Sequence, residues 1–315
     1  MNGSGVNGSG MNGSGVNGRG MNGSRPPLGP VSVVVPARNA ERTIAAQLEA
    51  LARQTYPDPW EVIVVENGSS DGTRALLHRW ERRMPQLRVV DCAGDRGVNG
   101  ARNTGCEQAL GDLVLCCDAD DVVAPGWMAG LVDALRTDPA AGGALERRLL
   151  NGPAALAARP PKTYDALLDT FGFLPYPAGA NCGFRKEVWK HLGGFDESYR
   201  NGGDDTEFFW RAQLAGYRLA FVPDAVVHYR LRADAWAVAR QLYGYGRSHP
   251  KLYRDFAGRG MPASRPGDAA RAWWTLLVHL PHLVGPADRR ATFVAQLALR
   301  TGRIVSSARY LRCYL

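Results

Sequence analysis

The sequence predicts an α/β fold: a mixed, mainly parallel sheet flanked by helices, followed by a helical C-terminal extension. Three observations predict it. From Val31 to Cys117, short buried-type apolar runs alternate with helical stretches four times, the pattern of parallel strands joined by crossover helices. Each suspicious polar cluster in that stretch falls directly after an apolar run. Beyond about residue 232 the strand-like runs stop and the chain becomes basic and amphipathic.

The elements follow in order. Residues 1–28 carry a repeat, MNGSGVNGSG and its near copy, whose Gly, Asn and Ser have no apolar anchors to offset the entropy of ordering, so a flexible tail is expected. Val31-Ser32-Val33-Val34-Val35-Pro36 is a β-branched run closed by proline, a first strand. Glu41 to Gln54, apolar at Ile44, Leu48 and Leu51, reads as a helix. Val62 to Val65 is the second strand, ending in Glu66-Asn67-Gly68-Ser69-Ser70-Asp71-Gly72-Thr73. Helix Arg74 to Arg83, strand Leu87 to Val90, helix Gly100 to Leu110 and strand Leu113 to Cys117 continue the series. Later come helix Thr206 to Ala215, a strand-like stretch from Arg218 to Val227, and helix Ala233 to Tyr253. The expected organisation is a tail over 1–28, a catalytic α/β domain over 29–232 and a basic helical extension over 233–315. In open α/β sheets ligands bind beyond the carboxyl ends of the strands. The clusters Pro36 to Asn39, Glu66 to Thr73 and Asp118 to Asp121 all occupy such ends.

Composition fits a soluble enzyme of ordinary size. The chain has 315 residues, a net charge of +8 and six cysteines without C-x-x-C or zinc spacing, so reduced thiols are expected. No basic start followed by an apolar stretch opens the sequence, and a cytoplasmic location is the expectation.

Asp118-Ala119-Asp120-Asp121 is the most informative segment. Three carboxylates crowded at the end of a buried strand repel one another, and a Mg²⁺ or Mn²⁺ ion shared with substrate phosphates would offset that repulsion. In extended backbone Asp118 and Asp120 project to one side, so one can hold a ribose while the other holds a metal. An acidic strand-to-loop turn is the plain alternative.

The blocks VSVVVPARN from Val31, VIVVENGSSDGT from Val62, Gly100-Ala101-Arg102-Asn103 and Asp-Ala-Asp-Asp stand in a telling order. Gly179 to Arg185, Gly193-Gly194-Phe195-Asp196-Glu197, Gly203-Asp204-Asp205 and Val222 to His228 complete the series. Together they resemble the family 2 glycosyltransferases of the GT-A (Rossmann-like) fold, over residues 31 to 232. The resemblance implies transfer of one sugar from a nucleotide-diphosphate donor to an acceptor hydroxyl, with inversion and a divalent metal. It implies that Asp118 and Ala119 contact the donor nucleotide, Asp118 through the ribose. It implies too that Asp120 binds metal, with His228 completing that site. Main-chain groups of Pro36, Ala37 and Arg38 are implied against the base. Glu66 and Asn67 stand where the family has two adjacent acids, one on the base; an Asn oxygen can still accept from a uracil-type N–H. Arg102 and Asn103 are implied beside the nucleotide; a solvated helical arginine is the alternative. A structural histidine is the alternative for His228.

Asp204-Asp205 occupies the catalytic-base position of the family, and Asp205 is the expected base. The sequence suggests an Asp-x-x-Glu capping box, with Asp204 as cap, Glu207 reaching back and the helix dipole favouring ionised Asp205. Trp189, Phe195, Phe208, Phe209 and Trp210 are core or acceptor-wall aromatics. A sugar nucleotidyltransferase would carry a Gly-rich basic loop after the first strand, which Pro36-Ala37-Arg38-Asn39-Ala40 is not. A non-catalytic binding relative would be expected to lack Asp120 or Asp205. Processive synthases carry Gln-x-x-Arg-Trp and membrane-spanning helices, and neither is seen here.

The acceptor remains open among lipid-linked, polymeric and small-molecule hydroxyls. Residues 240–315 hold thirteen Lys and Arg against three Asp. Tryptophan and apolar stretches are interleaved with them, too short to span a bilayer. Peripheral contact of residues 265–315 with the inner face of the cell membrane is the expectation. The alternative is a helical appendage with a solvated basic face; nucleic acid is not an expected partner.

Overall fold

The computed structural model describes residues 29–94, 96–158, 165–232 and 234–315, together with Met1. The Gly/Asn/Ser repeat, expected to be a flexible tail, lies outside the described residues. The elements β1 (Val31–Ala37), α1 (Ile44–Ala52), β2 (Trp60–Glu66), α2 (Thr73–Glu81), β3 (Leu87–Asp91), α3 (Gly97–Gln108) and β4 (Leu113–Cys117) follow the expected order. Then come β5 (Val122–Val123), α4 (Trp127–Ala134), β6 (Ala140–Glu146), α5 (Pro153–Ala158), β7 (Asn181–Arg185) and α6 (Lys186–Leu192). The chain ends with α7 (Asp204–Leu214), β8 (Leu219–His228), α8 (Ala235–Phe256), α9 (Pro266–Val278) and α10 (Ala287–Tyr310).

One sheet runs β3-β2-β1-β4-β7-β6-β8-β5. Its first four strands are parallel. β7 is antiparallel to both β4 and β6, β8 runs parallel to β6, and β5 closes antiparallel on β8. The sheet is therefore mixed, with its parallel half at the N-terminus. Strand alternation divides its core in two. Val31, Val33, Val35, Val62, Val64 and Leu115 pack toward α1, α2 and α4. Val34, Ile63, Val65, Val114 and Cys116 pack on the opposite face with α3 and the aromatics of α7. Each such side chain contributes about 1.5–3 kcal/mol by leaving water. Phe195, Phe208, Phe209 and Trp210 are core residues, at most 3% exposed, while half-buried Trp189 packs at the edge of the same cluster.

α1 begins three residues later than its sequence suggests, because Glu41 is tied to the neighbouring loop. Its carboxylate accepts from Gly72 N at 3.0 Å, and Ala40 N donates to Thr73 Oγ1 at 2.8 Å. β6 carries no β-branched run: its sequence is AAGGALE. A Cβ on Gly143 would strike the Ala225 carbonyl and the Asn181 amide, so close backbone approach dictates glycine there.

α8 and α10 lie against each other along most of their lengths. Gly246 meets the Leu299 carbonyl and Gly302 the Tyr243 carbonyl, with no room for a side chain at either. α8 also presses on the loop before α7. A Cβ on Gly244 would stand 2.6 Å from Asn201 O, and one on Gly203 would stand 3.0 Å from Ser248 Cβ. The six cysteines are free thiols; five are buried and Cys313 is exposed.

Candidate active site

The carboxylates at the end of β4 converge. Asp118, Asp120 and Asp121 each offer an oxygen within 4.8 Å of the other two. Buried Gln47 of α1 holds the loop on both sides: its Nε2 donates to Asp118 O at 3.1 Å, and its Oε1 accepts from Val123 N at 3.0 Å. Asp121 is fully buried. Its Oδ1 accepts from Arg230 N at 2.7 Å, whereas Oδ2 has no hydrogen-bond partner among the described residues. Burial, with Asp120 and Asp118 nearby, holds its pKa well above the ordinary carboxylate range. Burial raises Asp118 too; Arg102 opposes the shift and Asp120 and Asp204 add to it. An all-oxygen donor set with one buried, unpartnered carboxylate oxygen fits a hard divalent cation.

Arg232 approaches the same group, its Nη1 3.2 Å from Asp120 Oδ2. Arg230 Nε donates to Asp120 O at 2.8 Å. Sequence reasoning missed Gln47, Arg230 and Arg232. Two basic residues straight after the His228 block were the available signal; Gln47 offered none, being one more polar residue in a helix.

His228 ends β8 opposite Val122 and lies outside the carboxylate group. Its Nδ1 is 2.9 Å from Glu146 Oε2. A carboxylate on one ring nitrogen fixes the tautomer and orientation of the imidazole.

At the ends of β1 and β2 the backbone is shaped by side chains. Ala37 is buried, Pro36 half-buried and Arg38 exposed. Asn39 turns the chain at φ 52°, and its Oδ1 accepts from Ser70 N at 2.8 Å. The Glu66 carboxylate accepts from Ser69 N at 2.6 Å, Gly68 N at 3.3 Å and Arg74 Nη2 at 2.6 Å. Burial works against its charge, but these partners hold its pKa below the ordinary value. Glu66 thus organises the turn, whereas Asn67 keeps an acceptor. Asn67 Nδ2 donates to Gly97 O at 3.0 Å, and Oδ1 is buried without a partner among the described residues. Asp71 sits just before α2, accepting from Thr73 N at 3.1 Å.

On α3, Asn103 is held by protein groups. Its Nδ2 donates to Phe195 O at 2.9 Å, and its Oδ1 accepts from Phe195 N at 2.8 Å and Trp189 Nε1 at 3.1 Å. It braces the Gly194-Phe195 turn. Arg102 is no solvated helical arginine: it is 3% exposed and its guanidinium joins Asp204 Oδ2 to Asp118 Oδ1, the latter at 3.3 Å. Burial works against its charge, yet the two carboxylates hold its pKa above the ordinary value. Arg102 therefore ties the β4 acids to the α7 acids.

The capping box on α7 is corrected. Gly203, at φ 75°, stands at the cap position, and Asp204 is the first helical residue with its side chain on Arg102. Glu207 pairs with Arg211 instead of reaching back. Asp205 accepts from Gly179 N at 2.9 Å and Thr206 N at 2.7 Å. The helix dipole was expected to keep it readily ionised, but burial prevails. Burial and then Asp204 push its pKa up to about 6, against the pull of the Gly179 and Thr206 N–H groups and Arg102. With Arg102 on Asp204, Asp205 is the carboxylate poised near neutrality.

One cavity of about 1020 Å³ joins these groups. Asp118, Arg102, Asp204 and Asp205 line one side, and Tyr245 of α8 and Gln296 of α10 line the other. The C-terminal helices are thus a wall of the site.

The comparisons with known proteins agree with this arrangement. The profile of "Glycosyl transferase family 2" matches residues 32–193, and that of "Glycosyl transferase family group 2" matches residues 165–294. Glycosyltransferase AglE of Haloferax volcanii is 27% identical over 286 residues, spanning 90% of this chain and 89% of AglE. The glucosyltransferase WfgD of Escherichia coli, whose full name is UDP-Glc:alpha-D-GlcNAc-diphosphoundecaprenol beta-1,3-glucosyltransferase, is 34% identical over 103 residues. That match spans 33% of this chain and 38% of WfgD. Among solved structures, the mannosyltransferase PcManGT of Pyrobaculum calidifontis, in complex with GDP-Man and Mn²⁺, shares the fold at a TM-score of 0.62 and 24% identity. It covers 90% of this chain and 88% of its own. With a family profile spanning more than half of its length and an acidic site on a mixed sheet of the GT-A kind, the chain belongs to glycosyl transferase family 2, as a glycosyltransferase.

Proposed function

We propose that this site transfers one glycosyl unit from a nucleotide-diphosphate sugar to an acceptor hydroxyl in a single inverting displacement. The observation that carries the reading is the meeting of two acid groups, Asp118/Asp120/Asp121 and Asp204/Asp205, bridged by Arg102 at one large cavity. The donor base lies along β1 and β2, over the backbone of Pro36, Ala37 and Arg38, with the vacant Asn67 Oδ1 accepting an N–H. Asp118, next to Ala119, takes the ribose. Mg²⁺ or Mn²⁺ held by Asp120 and His228, with Asp121 behind them, would supply Lewis-acid stabilisation of the charge that builds on the departing nucleoside diphosphate. The Mn²⁺ and GDP-Man of the like-folded mannosyltransferase support both donor class and metal.

Asp205 is the general base. It takes the acceptor hydroxyl proton as the acceptor oxygen bonds to the anomeric carbon and the carbon–oxygen bond to the diphosphate breaks. A carboxylate with pKa about 6 is matched to that task, ionised at neutral pH yet basic enough to accept a proton. The acceptor enters from the α8/α10 side. The name of the E. coli relative supports a lipid-linked acceptor, and residues 265–315 give the chain peripheral membrane contact. A panel of nucleotide sugars assayed for Mn²⁺-dependent slow hydrolysis tests the reading. Hydrolysis of one donor, lost in chelator, is expected; binding of no nucleotide diphosphate with Mn²⁺ would reject it.

A further inference from the structure

Among the described residues no helix is long and apolar enough to cross a membrane. A compact apolar surface nevertheless lies between α9 and α10. Trp274, Leu277 and Val278 are spaced i, i+3, i+4 and so share one face of α9; they are 65%, 60% and 55% exposed. The neighbouring residues are turned inward: Leu276 is 7% exposed, and Ala272 and Trp273 line a small cleft together with Arg300 and Arg303 of α10. The turn that follows exposes Leu280, Leu283 and Val284 at 52%, 40% and 91%. Six large apolar side chains within eleven residues are therefore exposed. Apolar exposure concentrated in one short segment marks an interaction surface, unlike scattered single residues.

We propose that Trp274 to Val284 is a ledge that seats in the interfacial layer of an anionic bilayer, beside the mouth of the catalytic cavity. Charge identifies the occupant. Arg271, Arg289 and Arg290 flank the ledge and are exposed, and residues 265–315 hold eight Arg against two Asp. A second copy of this surface would bring the same arginines face to face, whereas anionic headgroups neutralise them while the apolar side chains enter the acyl boundary. Tryptophan favours that depth. The ledge also sits at a useful place. α10 starts three residues after Val284, and its Thr292, Ala295 and Gln296 line the cavity. Eight residues separate Val284 from Thr292, roughly 12 Å at helical rise. A bound bilayer would thus lie close to the acceptor wall, within reach of a sugar carried on a diphosphate lipid. This last step rests on the glycosyl-transfer reading; the ledge itself does not.

The test uses the full chain and two vesicle preparations, one of equal parts phosphatidylglycerol and phosphatidylcholine, the other of phosphatidylcholine alone. Wild type should sediment with the anionic vesicles at low salt and leave them at high salt. Trp274→Ser/Leu277→Ser/Val284→Ser should weaken binding at least about tenfold. Arg289→Glu/Arg290→Glu should abolish the preference for anionic lipid. Both variants should hydrolyse donor at the wild-type rate, since none of the five residues belongs to the catalytic machinery. Wild type left in the supernatant with anionic vesicles, or a triple variant that sediments equally well, overturns the ledge. So does a wild-type dimer that the triple variant converts to monomer, because a second copy would then cover the surface. Absent vesicle binding with intact donor hydrolysis rejects the ledge alone. Vesicle binding by a protein that hydrolyses no nucleotide sugar keeps the ledge and rejects the glycosyl-transfer reading.

Discussion

The two walls of the cavity are built by different physics. On the donor side, β1, β2 and β4 are buried on both faces, and their positions follow from apolar alternation and ladder pairing. On the opposite side, α8 and α10 are held by backbone contact at Gly246 and Gly302, and α8 meets the Asn201–Gly203 loop at Gly244. Sheet packing tolerates small shifts by rearranging many weak contacts. A glycine contact has no such slack, since one methyl group moves a main chain. On the proposed reading the donor wall sets what binds, and the helical wall sets how accurately the α7 acids meet it.

The largest effect should come from the donor wall. Asp120→Ala should abolish activity and Mn²⁺-dependent nucleotide binding in calorimetry while the thermal transition stays in place, because on the proposed reading the side chain is a metal ligand, and it carries no core packing. Full activity of wild type in excess chelator would contradict the metal assignment.

Next comes the residue where the two walls meet. Asp205→Asn should keep donor affinity and lower kcat by about 10²–10⁴-fold, the range of a general-base contribution. Asp204→Asn frees Arg102 from one partner and should disturb donor binding as well. If Asp204→Asn costs more in kcat than Asp205→Asn, the base has been assigned to the wrong carboxylate.

A substitution confined to the helical wall isolates its role. Gly244→Ala would push Asn201 away and displace the loop before α7, so kcat should fall about tenfold to a hundredfold with little change in donor affinity. Equal losses in kcat and donor affinity would show that α8 supports the whole site instead of aligning the acids.

The smallest effect is a displacement along the pH axis. Only ionised Asp205 accepts a proton, so kcat/KM should be flat above its pKa and fall tenfold per unit as pH drops below about 6. Asp204 raises that pKa, so any residual activity of Asp204→Asn should carry the acid limb to lower pH. A limb that moves upward would mean that Asp204 influences Asp205 through Arg102 placement more than through its own charge.

Much of the donor wall was legible in the sequence. The runs VSVVV, VIVV and LVLCC have too much apolar surface to sit anywhere but in a buried sheet, and a polar cluster after each had to emerge at one edge. Asp118 to Asp121 therefore announced themselves. β6 and β7 escaped notice because glycines replace the β-branched residues: the Ala225 carbonyl crowds Gly143, and the Leu115 and Leu135 side chains crowd Gly183. The partners of Asn103 and Arg102 were hidden for a related reason: sequence spacing shows that they share a helix, but only packing reveals that Asn103 faces Phe195 and Arg102 faces Asp204 and Asp118. The Asp204–Glu207 spacing matched a capping box, yet a buried guanidinium is a stronger partner for Asp204 than a backbone N–H, and Gly203 took the cap.

By itself the sequence determined the α/β alternation, the acid clusters and the basic, amphipathic C-terminal region, because composition and period depend only on neighbours along the chain. The tertiary structure alone decided that Arg102 bridges the two acid groups. It alone raised the Asp205 pKa toward neutrality, made α8 and α10 the far wall of the cavity, and narrowed the exposed apolar surface to Trp274–Val284. Those properties depend on desolvation and on contacts between residues up to about a hundred positions apart, such as Arg102 and Asp204. Local pattern carries no record of either.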